Sequence, residues 1–229
     1  MNRDGASIGL PKGKRLAIVG HTGTGKSRLA HALFVQSRGR RRVVIDPFDD
    51  PDTTIGDRCK ATPREDRWPT TNSPRLDWRK SSTWRAVPTD PQDIDWYDEL
   101  YRTSIFDVGD VLVWNDEMGA ATQSHQMPLG IRQTLYQGRK RGISHIACSP
   151  RPVEVHPGVW SQAEFWGIFR MTNYDDRDRV AKHSGLRPAQ FEQLHAELGP
   201  HGFIWWDSVH ERRLLIASGL DLGAHSVET

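Results

Sequence analysis

Several things are scarce in this chain, and each scarcity removes a class of protein. Only two cysteines occur in 229 residues, Cys59 and Cys148. That excludes a disulfide scaffold and fits plain thiols of a reducing compartment. Apolar runs are short, Val111–Trp114 being typical. A membrane-spanning helix needs roughly 20 apolar residues in succession, so no membrane span is expected. Met1–Leu10 lacks the basic-then-apolar order of a secretory leader. No repeat and no low-complexity tract is present. None of the ten histidines pairs with cysteine or histidine at a zinc spacing. No G-x-S-x-G turn marks a serine hydrolase.

What is present points to a folded domain. Nine tryptophans argue against disorder. The net charge is only +2, yet it is unevenly spread. Residues 1–45 hold ten Lys/Arg against one acid, residues 46–117 nine against seventeen, and the remainder twelve against eleven. Such asymmetry suits a chain with one face turned to an anionic partner.

Apolar periodicity predicts strands at Arg15–Val19, Arg42–Ile45, Arg85–Val87, Val111–Trp114, Ser144–Cys148 and Glu164–Arg170. It predicts helices at Lys26–Ser37, Asp95–Phe106, Leu129–Arg141, Tyr174–Ser184 and Pro188–Leu198. Gly202–Asp207 and Arg212–Ile216 read as a terminal antiparallel hairpin. Strands alternating with helices imply an α/β three-layer sandwich with a mainly parallel sheet. Residues 1–13 read as a loose arm, 14–217 as the domain and 218–229 as a tail. Residues 47–83, rich in Pro, Asp, Thr and Arg without a period, read as a long insertion.

Gly20-His21-Thr22-Gly23-Thr24-Gly25-Lys26-Ser27 fits G-x-x-x-x-G-K-[ST] completely, between a strand and a helix. Glycines let successive amides curl inward around phosphate oxygens, and the helix N-terminus adds partial positive charge. Lys26 reaches the outer phosphates of ATP, and Ser27 offers its hydroxyl to Mg²⁺. Hydrolysis also needs carboxylates. Asp116 and Glu117 follow the strand Val111–Asn115, at the end where parallel sheets bind ligands. Asp116 is then the expected metal ligand, directly or through water, and Glu117 the group that polarises the attacking water. Two strands, Arg42–Ile45 and Arg85–Val87, precede Asp116 after the loop. This favours the P-loop class in which an added strand separates loop and acid. A simple nucleotide kinase would place its acid strand differently and carry an arginine-rich lid.

These residues resemble the HerA–FtsK superfamily of DNA-pumping ATPases. The resemblance rests on Gly20–Ser27, Val44-Ile45-Asp46-Pro47, Val111–Glu117, Gln137–Ser144, Cys148–Pro152 and the stretch from Phe169-Arg170-Met171-Thr172 to His183-Ser184-Gly185. It covers most of Lys14 to Ile216 outside the insertion. Within the superfamily the chain looks most like the short genome-packaging ATPases of tailless, membrane-containing viruses. The resemblance implies a P-loop fold of the additional-strand, catalytic-glutamate type. It also implies a homo-oligomeric ring, usually of six, with Mg-ATP between neighbours and double-stranded DNA in the channel. The expected setting is host cytoplasm and virion, with a capsid vertex or portal protein as docking partner. Arg139 matches the position whose side chain reaches a neighbour's phosphates, with Arg141 as a substitute. One departure stands out: where the family commonly carries glutamine in a "TQRP"-like run, this chain has Ser149-Pro150-Arg151-Pro152. Ser149 or Arg151 then inherits any role in sensing the γ-phosphate.

Two other functions fit the same motifs. One is a P-loop kinase acting on a nucleotide or small molecule. The other is a non-catalytic assembly protein gated by ATP. Some residues carry blander expectations: His195, His201 and His210 as surface or turn residues, His21 as loop packing, Asp46 as part of an Asp-Pro turn, and Trp205-Trp206 as edge packing.

Overall fold

A computed structural model describes residues 8–37, 39–49, 68–210 and the backbone of 212–216. Cys59, most of the N-terminal arm, residues 50–67 of the insertion and the tail beyond residue 216 lie outside the described residues. The strands are β1 (Arg15–Val19), β2 (Arg41–Ile45), β3 (Thr70–Thr71), β4 (Thr83–Ala86), β5 (Val111–Asn115), β6 (Ser144–Ser149), β7 (Phe165–Phe169), β8 (Phe203–Asp207) and β9 (Arg212–Ile216). They form one sheet in the order β3-β4-β2-β5-β6-β1-β7-β8-β9. All pairs are parallel except β7–β8 and β8–β9, so the expected antiparallel hairpin closes one edge.

The separating strand differs from the expectation. β2 and β4 lie beyond the acid strand, and β6 alone stands between β5 and the loop strand β1. An added strand does separate loop from acid, but the chain supplies it later, through a crossover.

Both faces of the central strands are buried, as a doubly covered parallel sheet requires. Leu16, Ile18, Val44, Leu112, Trp114 and Ile146 face α1 (Lys26–Gln36), which contributes Leu29, Leu33 and Phe34. Ala17, Val43, Val113 and Ala147 face the opposite layer. That layer comprises α2 (Ile94–Glu99), the π-helical Leu100–Phe106, α4 (Leu129–Gln137), α5 (Pro157–Trp160), α6 (Tyr174–Ser184) and α7 (Pro188–Ala196). A four-residue α3 (Met118–Ala121) follows Glu117 directly.

Two predicted helices change type along their length. Asp93 caps α2 by accepting from the Trp96 amide at 3.0 Å, but from Leu100 the pitch widens to i→i+5, with the Asp107 amide bonded to the Arg102 carbonyl at 2.9 Å. The helix through Arg141 tightens into a 3-10 turn at Gly138–Arg141. Part of the insertion is ordered against the core. Trp68 packs edge-on to Phe34, the Leu76 amide donates to Ser104 Oγ at 2.9 Å, and β3 pairs with β4.

Candidate active site

The parallel strands β1, β2, β5 and β6 all end at one rim of the sheet, and the residues just beyond them make the site. β1 delivers the loop Gly20–Gly25. Gly20 has φ +147°, and a Cβ there would lie 2.4 Å from Phe169 Cβ, so only glycine lets the loop leave the strand against β7. Gly25, at φ +111°, is left-handed and starts α1. Lys26 is buried and donates to the His21 carbonyl at 3.0 Å, which the Thr24 hydroxyl also reaches at 2.7 Å. Burial lowers the Lys26 pKa, while the charges around it, Glu117 and Asp116 among them, pull the other way.

Ser27 Oγ donates to Asp116 Oδ2 at 3.2 Å, across 89 residues of sequence. Trp114 Nε1 holds the other oxygen at 3.2 Å. A hydroxyl and a carboxylate meeting in this way form a hard-oxygen donor set of the kind magnesium takes. Ser27 and Asp116 would hold that ion, which in such sites neutralises charge on the phosphates. Burial pushes Asp116 up to about 6; the Ser27 bond opposes the shift and the charge of Asp46 adds to it. Asp46, from the tip of β2, is buried and ion-paired with Arg85. The Asp-Pro turn therefore carries a buried charge beside the site.

Glu117 lies on the other face of the β5 tip. Its Oε1 accepts from the Gly119 amide at 3.2 Å, capping α3, and from Ser149 Oγ at 3.3 Å. Burial is the chief cause that raises its pKa to about 7. A carboxylate of that basicity takes up a proton readily near neutral pH, as a general base must. Ser149 also accepts from the Arg151 amide at 3.1 Å, whereas the Arg151 guanidinium turns away to Asp176 at 3.0 Å. Of the two residues offered for the missing glutamine, Ser149 is the one that touches Glu117.

Arg139 is not part of this rim. It lies in the 3-10 turn ahead of β6, beside Gly13 and 4.0 Å from Glu164, where β1 and β7 begin. The six residues of β6 separate it from Ser149, about 20 Å of extended chain. Its side chain is 65% exposed. Arg141 is held instead, donating to the Phe106 and Asp107 carbonyls at 2.6 and 2.7 Å and lying over the Phe106 ring.

Among the minor expectations, His201 is exposed and within 3.4 Å of the Thr24 carbonyl, and His210 pairs with Asp207. His21 is exposed and contacts the Thr22 carbonyl. His195 is a correction: it is buried, stacks on Phe191 and accepts from the Met171 amide at 2.8 Å. Trp205 and Trp206 are buried edge packing, as expected. No group of three metal-ligating side chains exists among the described residues, and none of their helices is long and apolar enough to cross a membrane.

No protein-family profile and no curated protein matches this chain. Solved structures do. The genome packaging NTPase B204 of Sulfolobus turreted icosahedral virus 2, bound to sulfate, superposes with a TM-score of 0.70 at 16% identity, covering 92% of this chain and 98% of that one. At that identity the likeness is one of fold. The same NTPase with AMPPCP gives 0.67 at 16% identity, over 90% of this chain and 98% of that one. VirB4 of Thermoanaerobacter pseudethanolicus gives 0.61 at 13% identity, over 88% of each chain.

Proposed function

We propose that this chain is an ATP-dependent double-stranded DNA translocase that packages a viral or mobile-element genome. The observation that carries the reading is the meeting of Ser27, Asp116 and Glu117 around the Lys26 loop while Arg139 lies at the far rim. Mg-ATP binds at Gly20–Ser27. Glu117 takes the proton from the attacking water, and Lys26 neutralises charge on the phosphates. Arg139 cannot fold back onto its own loop, so it serves the next copy in a ring, most simply a hexamer. The likeness to a packaging NTPase, solved with an ATP analogue, supports this reading. DNA is gripped by phosphate contacts, and the motor works in host cytoplasm and virion, docked on a capsid vertex or portal protein.

The test is ATP hydrolysis by the purified chain with and without duplex DNA, alongside electron microscopy with a non-hydrolysable ATP analogue. DNA-stimulated hydrolysis, weakening steeply with salt, and rings with an occupied channel support the reading. Phosphate transfer to a small acceptor by a monomer that ignores DNA would replace it with a kinase. A Glu117→Gln chain that traps ATP and stalls fits the pump, whereas one whose ATP-switched partner binding works as in the wild type would favour a nucleotide-gated assembly protein.

A further inference from the structure

A second polar constellation lies one rung below Glu117, and nothing in the hydrolytic scheme uses it. Asn115, the last residue of β5, is fully buried. On the same sheet face β6 presents His145, also buried. Over them sits Tyr101, in the π-helical segment, fully buried too. Asn115 Nδ2 donates to Tyr101 Oη at 3.4 Å, and Tyr101 Oη lies 2.8 Å from His145 Nε2. Burial is the main cause that depresses the imidazole to about 3, so His145 is neutral. With its oxygen accepting from Asn115, the Tyr101 hydroxyl spends its own proton on His145 Nε2.

The register gives this arrangement its meaning. Asn115 pairs with Ala147 across the β5–β6 ladder. Along this face the rungs run Val113 with His145, Asn115 with Ala147, and then Glu117 beside Ser149. β5 and β6 are thus tied by side chains twice: by Glu117–Ser149 at the tip and by Asn115–Tyr101–His145 beneath it. β6 is the strand that separates Glu117 from the phosphate loop on β1. The placement of Glu117 against the loop therefore depends on how β5 seats on β6, and Tyr101 spans that seam. A π-helical run of seven residues is rare, and such turns recur at functional sites.

We infer that Tyr101 is a positioning residue for ATP hydrolysis, holding the β5 tip, and with it Glu117, at a fixed offset from the phosphate loop. This rests on the reading of Glu117 as the base. The hydroxyl makes no contact with nucleotide; it acts through Asn115 and His145.

The experiment compares Tyr101→Phe with Tyr97→Phe in the full chain. Tyr97 is equally buried in the same layer, but its hydroxyl donates to the Pro91 carbonyl, at 3.1 Å, and makes no hydrogen bond to β5 or β6 among the described residues. Tyr101→Phe loses two hydroxyl bonds and Tyr97→Phe one, so both should melt at lowered temperatures, Tyr101→Phe at the lower. Tyr101→Phe should lower kcat about tenfold with the dissociation constant for AMPPCP unchanged, because a displaced base slows chemistry without weakening binding. Tyr97→Phe should keep kcat within about twofold. Should Tyr101→Phe be insoluble, Asn115→Ser cuts the same tie from the other end and is read identically. Wild-type kcat in the Tyr101 or Asn115 variant overturns the inference while leaving Glu117 as base intact. Equal loss of kcat in the two tyrosine variants also overturns it. A wild-type chain that hydrolyses no ATP overturns both readings together.

Discussion

The two rims of the sheet differ in kind. At the rim where the parallel strands end, charged groups are buried and answered within the chain: Lys26 by the His21 carbonyl, Asp116 by Ser27 and Trp114, Glu117 by Ser149 and the Gly119 amide. At the rim where those strands begin, basic groups crowd together and several face solvent. Lys14 meets Glu164 at 2.7 Å, Lys12 meets Asp110 at 2.9 Å, and the exposed Arg139 lies 4.0 Å from Glu164. Burial of carboxylates raises their proton affinity and prepares them for divalent cation or base chemistry. An exposed guanidinium is open to phosphate from elsewhere. On the reading proposed above, one rim holds the groups that bind a triphosphate, and the other holds Arg139, the cation that answers charge developing in transfer, out of reach of them. On that reading, two copies head to tail complete one site.

That contrast can be attacked from either end. Glu117→Gln should have the largest effect, lowering hydrolysis about 10³-fold with ATP analogue binding retained, as measured by single-turnover assay and equilibrium titration. Arg139→Ala should lower steady-state hydrolysis about 10²–10³-fold and leave analogue binding near wild type, which the same two assays check. Acidity should act on the first rim alone. As the base, Glu117 must be ionised to work, so kcat should fall about tenfold per pH unit below its pKa, which burial raises to about 7. Stability without nucleotide should move oppositely. The folded pKa of Glu117 is raised from 4.5 to about 7, so its contribution is full below 4.5 and is lost as pH climbs through 7. Melting temperatures across that window would show it. Gly20→Ala should cost about 2–4 kcal/mol in denaturant unfolding, because its Cβ meets Phe169. Arg141→Ala should change hydrolysis least, within about twofold, since its guanidinium is already bound to its own chain.

Much of this arrangement could be read from residue order, for local reasons. The phosphate loop is eight consecutive residues, and its strand and helix flank it directly. Helix α6 runs over Tyr174–Ser184 as its apolar period predicts, because Asn173 caps its start and Gly185 at φ +77° ends it. The edge hairpin follows from two short apolar runs close in sequence. What escaped reading was set by contacts distant in the chain. β6 reaches its place between β1 and β5 only through a crossover, so strand order along the chain misassigned the separating strand. Ser149 meets Glu117 because of the β5–β6 register, which no local pattern encodes. The four-residue helices α3 and α5 are too short to show a period. His195 is drawn inside by Phe191 and the Met171 amide, a partner 24 residues away.

The claim that one site is shared between opposite rims of two copies is tested most directly by mixing two inactive variants. Arg139→Ala keeps its own loop, Asp116 and Glu117; Glu117→Gln keeps Arg139. Combined after dissociation and reassembly, they should recover a substantial fraction of wild-type hydrolysis, since each Arg139→Ala loop can then meet an intact Arg139 from its neighbour. Mixtures that stay as inactive as their components, in assemblies shown to contain both, would contradict the account.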